Sequence, residues 1–196
     1  MDVEQKNFIE ILIRDLSAEM LRAARSNDEI QRRSVVRSGF ATVEGFIAFI
    51  KQTILDDLQL NTHVYSEGEV ALLRELTYQA DDRGNVKSSP KFIPTDANLL
   101  FTMKAWCRGI SDGRLDLGVP GWQNFKKSLA LRHRLVHPKR AEDLTISDDE
   151  FIAFVKAMSW FMSSIHEKLD EVLAANRSPE VNGHLEPGIT VEHDNE

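Results

Sequence analysis

The sequence predicts an all-α fold: a single bundle of about five or six helices, followed by a disordered C-terminal tail. Three observations carry this reading. Apolar residues recur at three- and four-residue spacing over most of the chain. No segment shows the alternation of a half-buried strand, and only Asn85-Val86-Lys87 offers a short extended piece. Helix-starting and helix-ending residues divide the apolar stretches into helical lengths. The helical domain is expected over residues 1–176 and the tail over 177–196.

The first helix is predicted from about Val3 to Ala24, where Ile9, Leu12, Ile13, Leu16 and Met20 recur at helical spacing. Ser26-Asn27-Asp28 breaks it and can cap the next. The second helix, about Asp28 to Leu58, begins polar with Gln31, Arg32, Arg33 and Ser34, then turns apolar nearly all round from Phe40 to Leu55. That change places its start at the surface and its remainder in the core. Gly39 and Gly45 each lower its propensity by about 1 kcal/mol, so both mark positions where another helix approaches closely.

A shorter helix is expected from Glu67 to Gln79 behind the cap Ser66, then a loop from Ala80 to Pro94 with turn chemistry in Asp81-Asp82-Arg83-Gly84-Asn85. Thr95-Asp96 can cap a helix from about Ala97 to Arg108, which Ser111-Asp112-Gly113 ends. Gly118-Val119-Pro120-Gly121 is irregular. The next helix is expected from about Trp122 to Val136, because Pro138 disfavours helical geometry at His137. Its core face should hold Trp122, Phe125, Leu129 and Val136. The last helix begins with the capping-box sequence Ser147-Asp148-Asp149-Glu150. Phe151, Phe154, Val155, Met158, Met162, Ile165, Leu169 and Val172 then form one apolar stripe to about Ala175.

One cysteine, Cys107, excludes an internal disulfide framework and fits a reducing compartment. The N-terminus has no basic region followed by an apolar run, and no stretch is long and apolar enough to span a bilayer. A cytoplasmic protein with no membrane association is expected. The formal charge of −7 argues against a general nucleic-acid coating protein. Much of it lies after Ala175, where Glu180, Glu186, Glu192, Asp194 and Glu196 face Arg177 alone, so any basic site must be local.

One such site exists. From Lys126 to Arg140 the chain carries Lys126, Lys127, Arg132, Arg134, Lys139 and Arg140, with His133 and His137, and no acid interrupts them. Such a run is either a phosphate contact surface or a solvated helix face whose cations complement the helix dipole. His133 falls at the edge of the expected core face, Arg132 about 100° away on the flank of Phe125 and Ser128, and His137 one turn beyond His133. If the helix end frays at Pro138, Arg132, His133 and His137 can surround one phosphate. These residue types suit RNA cleavage, because RNA carries its own nucleophile in the 2′-hydroxyl. Histidine is the side-chain type that exchanges protons near neutral pH and can accept the hydroxyl proton. Arginine offers a planar two-donor fork for the charge that builds on phosphorus. The expected roles are His137 as general base, Arg132 as phosphate and transition-state ligand, and His133 as support. The products would be a 2′,3′-cyclic phosphate and a 5′-hydroxyl, with no metal or other cofactor.

Arg132-His133-Arg134-Leu135-Val136-His137-Pro138, near the end of the penultimate helix, resembles the signature of the HEPN superfamily (higher eukaryotes and prokaryotes nucleotide-binding domains). That signature is an Arg, a polar residue after it, and a His after four to six intervening residues. Here four intervene, His133 follows the Arg, and Pro138 follows the His as in many members. The same spacing at Arg177 to His184 lies inside the Pro- and Gly-containing tail and is set aside. The resemblance covers about Asp28 to Ala175. It implies an up-and-down all-α bundle and a metal-independent endoribonuclease, of the kind found in toxin–antitoxin, phage-defence and RNA-processing systems. It also implies a homodimer with two Arg/His sets facing a shared cleft, RNA as substrate, and a protein antitoxin or regulator as a further partner. Non-catalytic members that bind RNA, nucleotide or protein are the alternative. Lys139 stands where toxins paired with nucleotidyltransferase antitoxins carry Tyr, so that subgroup is not implied.

Glu44 lies in the apolar part of the second helix and needs a partner if buried, with Arg132 or His133 as candidates; otherwise it sits on an exposed edge or pairs with a structural Arg. Arg37, two turns earlier, can also reach the site. His133 and His137 have metal-ligand spacing, but no Cys, Asp or Glu on that helix completes a set. Trp106, Trp122 and Trp160 read as core anchors, Cys107 as a buried thiol and His166 as solvated.

Overall fold

A computed structural model describes residues 3–26, 28–57, 64–108, 110–111 and 113–177. Among them are six α-helices and one hairpin: α1 (Val3–Ser26), α2 (Glu29–Asp57), α3 (Glu67–Leu73), β1 (Leu76–Ala80), β2 (Val86–Pro90), α4 (Thr95–Trp106), α5 (Pro120–Val136) and α6 (Asp148–Arg177), with a 3-10 turn at Ala141–Leu144. The all-α bundle is therefore as expected. The tail expectation lies outside the described residues from 178 onward, as does His184.

α2 is the spine, because its apolar residues face three directions. α1 runs antiparallel along it, with Gln31 reaching Glu19 and Thr42 Oγ1 reaching the Leu12 carbonyl. Asp28 caps α2 by accepting from the Gln31 amide at 2.8 Å. On the other side, Phe40 meets Phe154 and Phe46 meets Phe161, so α6 runs parallel to α2. α5 is antiparallel to α6, with Trp122 against Trp160 at one end and Arg134 bonded to Glu150 at the other. Rings of Phe40, Trp122, Phe125, Phe154, Trp160 and Phe161 fill the junction of the three helices. Trp122 is the buried core anchor expected of it, Trp106 and Trp160 are partly buried, and Cys107 is fully buried.

Gly39 and Gly45 meet the approaches expected of them. A Cβ at Gly39 would stand 2.4 Å from the Phe154 ring of α6, and one at Gly45 would stand 2.3 Å from a Leu12 methyl of α1. Gly121 is not in an irregular stretch but in the first turn of α5, against the root of the Trp160 side chain.

Several expectations are corrected. The helix expected to reach Gln79 ends at Leu73. Glu75 takes a left-handed conformation, φ 53°, and Leu76-Thr77-Tyr78 go into β1, as suits their β-branched and aromatic content. β2 pairs antiparallel with β1, Leu76 opposite Pro90 and Ala80 opposite Val86. Asp81 organises the turn by accepting from the Arg83 and Asn85 amides. The expected loop at 80–94 is thus half hairpin. α4 starts at Thr95, with Pro94 at the cap position, and Asp96 accepts from the Ala97 amide within the first turn.

The buried face of α5 is Trp122, Phe125, Ser128, Leu131 and Leu135, and Val136 is 43% exposed. The face is rotated by roughly 70° from the expected stripe, at about 100° per residue. The cause is packing on two sides, by α2 and α6. Buried Ser128 satisfies its hydroxyl on the Asn124 carbonyl. On α6 the same effect exposes Val155 and Leu169 and buries Ala157 and Phe161. Arg32 is not a surface residue either. It is 9% exposed, bonded to the Ile146 carbonyl and Asp148, and stacked over Phe151.

Candidate functional site

The basic segment lies at the C-terminal end of α5. The helix stops where Pro138 requires: His137 is its C-cap residue, out of helical geometry at φ −122° and ψ 55°, with its amide still bonded to the His133 carbonyl. A helix end leaves carbonyls without partners. Arg37 of α2 supplies one, its Nη2 donating to the Leu135 carbonyl at 3.4 Å. Arg37 thus reaches the site by holding the helix that carries it.

The two imidazoles come together. The rings of His133 and His137 lie 5.0 Å apart, tilted by 57°, and both side chains are exposed. Arg132 turns the other way, across the gap to α2, where Nη2 donates to Glu44 Oε1 at 2.7 Å. The pair is open to solvent, with Arg132 30% and Glu44 45% exposed. Glu44 is therefore not buried: it sits on an exposed edge and pairs there with Arg132. The cradle of Arg132, His133 and His137 around one phosphate is not assembled in this conformation. Two halves are present side by side, an imidazole pair and an anchored guanidinium.

The rest of the basic run divides in two. Arg134 is drawn to α6, where it bonds Glu150 and the Thr145 carbonyl. Arg140 lies 3.9 Å from Asp143, whose carboxylate also accepts from the Lys139 and Arg140 amides. The Lys139 amide bond is the main cause that holds Asp143 below its ordinary value. Lys126, Lys127 and Lys139 are exposed with no ion pair among the described residues, and Lys126 sits 5.9 Å over the Trp122 ring. Tertiary structure thus gives Arg132, Arg134 and Arg140 acidic neighbours that the linear run lacks, and leaves the three lysines and two histidines facing solvent.

The loop after the motif is held by arginines. Arg33, Arg134 and Arg32 donate to the carbonyls of Leu144, Thr145 and Ile146 in turn. Ser147 and Glu150 then form the expected capping box, Ser147 Oγ accepting from the Glu150 amide and Glu150 Oε2 from the Ser147 amide. These contacts fix the start of α6 against α2 and so fix what α5 packs upon.

Arg132 and Glu44 also line a cleft of about 340 Å³ with Ile47, Ala48, Glu75, Phe92, Ile93, Thr95 and Asn98. Its far wall is built on Lys51, which is buried and donates to Glu75 Oε1 at 2.8 Å and to the Leu72 carbonyl. Asn98 donates to the same Glu75 oxygen at 3.1 Å. Burial alone would raise the Glu75 carboxyl, but the hydrogen bonds from Lys51 and Asn98 outweigh it and hold it below its ordinary value. The sequence reading missed Glu75, Phe92 and Asn98. The one signal was Phe92-Ile93, an apolar pair between two prolines in a polar stretch.

Among the described residues no group of three or more His, Cys, Asp or Glu side chains is gathered to hold a metal ion. His166 is exposed, 3.6 Å from Asp170. No helix among the described residues is long and apolar enough to cross a membrane. Comparison of the chain with protein-family models, curated proteins and solved structures gives no match.

Proposed function

We propose that the protein is a metal-independent endoribonuclease whose site is the C-terminal end of α5. One observation carries this reading: two exposed imidazoles, His133 and His137, lie 5.0 Å apart at a helix end, and the neighbouring residue in sequence, Arg132, has its guanidinium held in the open on the α2 side by Glu44. The HEPN-like motif in a helical bundle supports it, as do the unpaired Lys126, Lys127 and Lys139 as phosphate contacts.

In the proposed reaction His137 removes the proton from a 2′-hydroxyl. The O2′–P bond forms and the P–O5′ bond breaks, giving a 2′,3′-cyclic phosphate. The departing 5′-oxygen takes a proton from solvent water and leaves as the alcohol, and His137 returns the proton it removed to solvent. Arg132 supports the charge on the phosphoryl oxygens, and His133 positions His137. A homodimer would set two such sites facing each other, in the manner the family resemblance implies. A role in a toxin or phage-defence system, with a protein antitoxin or regulator as partner, belongs to the same proposal.

The test is cleavage of single-stranded RNA in EDTA by purified chain and by His137→Ala. The reading expects cleavage by the first and a loss of at least about 10²-fold in the second, on the scale of general-base contributions. Equal cleavage by both would sink it.

A second reading rests on a different observation. Glu44, Glu150 and Asp143 partly neutralise three of the arginines, as fits a non-catalytic module that binds RNA, nucleotide or a protein. Saturable, salt-sensitive RNA binding with no turnover would favour it.

A further inference from the structure

We infer that the cleft beside Arg132 is a base-binding subsite selective for guanine. The inference rests on the ribonuclease reading in one respect: Arg132, which would hold the scissile phosphate, is also part of the cleft wall.

The cleft has the size and lining for one base. At about 340 Å³ it lies at the small end of ligand pockets. Phe92 stands at its mouth, 87% exposed and held in a short segment between the hairpin and α4. A phenylalanine so placed contributes nothing to the core, whereas an open aromatic face is what single-stranded bases stack on. Ile47, Ala48 and Ile93 supply apolar surface around it.

The polar lining is rich in acceptors. Glu44 and Glu75 each engage only Oε1 in the contacts that hold them, the first with Arg132 and the second with Lys51 and Asn98, which leaves an oxygen on each. Among the described residues of the lining, Arg132 is the one cation. A ligand that suits this wall brings N–H donors at one end and a negative charge at the other. Among the four bases of RNA, only guanine presents two adjacent donors, N1–H and the 2-amino group, on its Watson–Crick edge. That edge matches carboxylate acceptors, while its phosphate falls to Arg132. Adenine and cytosine offer one amino group beside ring acceptors, which carboxylates repel, and uracil offers a single N–H.

The inference is tested by titrating the full chain, followed by NMR or calorimetry, with the 5′-monophosphates of guanosine, inosine, adenosine, cytidine and uridine. Guanosine monophosphate is expected to bind about tenfold or more tightly than the last three, and the inosine compound, which lacks the 2-amino donor, in between. Phe92→Ala, at a position too exposed to affect folding, should weaken guanosine monophosphate by about tenfold, the scale of one base stack. Equal binding of all five, no binding at millimolar concentration, or binding indifferent to Phe92→Ala would overturn the inference. In parallel, the ends of cleaved random-sequence RNA are sequenced. Cleavage with no guanine enrichment overturns the subsite and leaves the ribonuclease standing. Selective guanosine monophosphate binding with no cleavage supports the subsite and removes the ribonuclease.

Discussion

Arg132 of α5 and Glu44 of α2 form a 2.7 Å ion pair in the open, and both side chains line the same cleft. In such an exposed position the pair adds little stability, about 0–1 kcal/mol. Its larger effect is to hold a long, otherwise mobile guanidinium in one place. We therefore expect Glu44→Gln to leave Tm within a few degrees but to split the kinetics. With the guanidinium no longer oriented kcat falls about tenfold, and this is a larger change than that in KM. Arg132→Lys, which keeps the charge and loses the fork, should cost about 10²-fold in kcat. Steady-state kinetics decide this. An increase in KM at unchanged kcat for Glu44→Gln would refute the positioning role.

The start of α3 is fastened by Glu69, which accepts from Arg108, from the Ser66 amide and from the Ser66 hydroxyl. The Arg108 bond is the main cause that lowers its carboxyl to about 2 from the ordinary 4.5. A carboxylate more acidic folded than unfolded stabilises the fold fully above its unfolded value and loses that contribution as pH falls through the folded one. Urea midpoints of wild type and Glu69→Gln, measured from pH 7 to pH 2, should differ by a constant amount above about pH 5 and converge toward pH 2. A pH-independent gap would contradict the assignment.

Gly39 and Gly45 should respond differently to alanine. Each substitution gains up to about 1 kcal/mol of helix propensity. At Gly45 the new methyl meets the end of a flexible Leu12 side chain, at the margin of the fold, so the net effect is near zero or stabilising. At Gly39 it meets the ring of Phe154, which is fully buried, and overpacking of about 1–3 kcal/mol outweighs the gain. Thermal denaturation of the two variants should show a fall in Tm for Gly39→Ala alone.

The basic residues of α5 and the following loop divide into binding and structural groups. Lys139→Ala should reduce the slope of log K against log salt for RNA binding by about 0.7, the share of one phosphate contact on a single strand, without changing stability. Arg134→Ala should do the reverse. It removes the bonds to Glu150 and the Thr145 carbonyl and lowers stability by about 1 kcal/mol. Fluorescence anisotropy over a salt series, together with melting curves, separates the two.

Most helices were legible because their signals are local. The end of α5 at His137 follows from Pro138, the start of α6 from Ser147 and Glu150, and the close approaches to α2 from Gly39 and Gly45. What failed depends on tertiary neighbours. Residues 74–79 carry a helix-compatible pattern, and the left-handed Glu75, its carboxylate bonded by Lys51 and Asn98, turns them into a hairpin. The buried arc of α5 widened because two helices pack on it, which one stripe of apolar spacing does not reveal. At the site, Arg132, His133 and His137 were identifiable as residue types. Glu44 was identified as a candidate partner of Arg132, but the pull of Arg134 toward α6 and the cleft wall of Glu75, Phe92 and Asn98 arise only when α2, α4 and α5 meet.

The central claim is that His137 and Arg132 use the 2′-hydroxyl of RNA to break the chain. The most direct measurement is single-turnover cleavage, in EDTA, of one oligoribonucleotide and its counterpart carrying 2′-O-methyl at the cleaved position, with the product ends identified by mass spectrometry. The account predicts 2′,3′-cyclic phosphate and 5′-hydroxyl ends from the first, no cleavage of the second at that position, and loss of the activity in His137→Ala and Arg132→Ala. Cleavage of the 2′-O-methyl substrate at the same position, or 5′-phosphate ends, would contradict it.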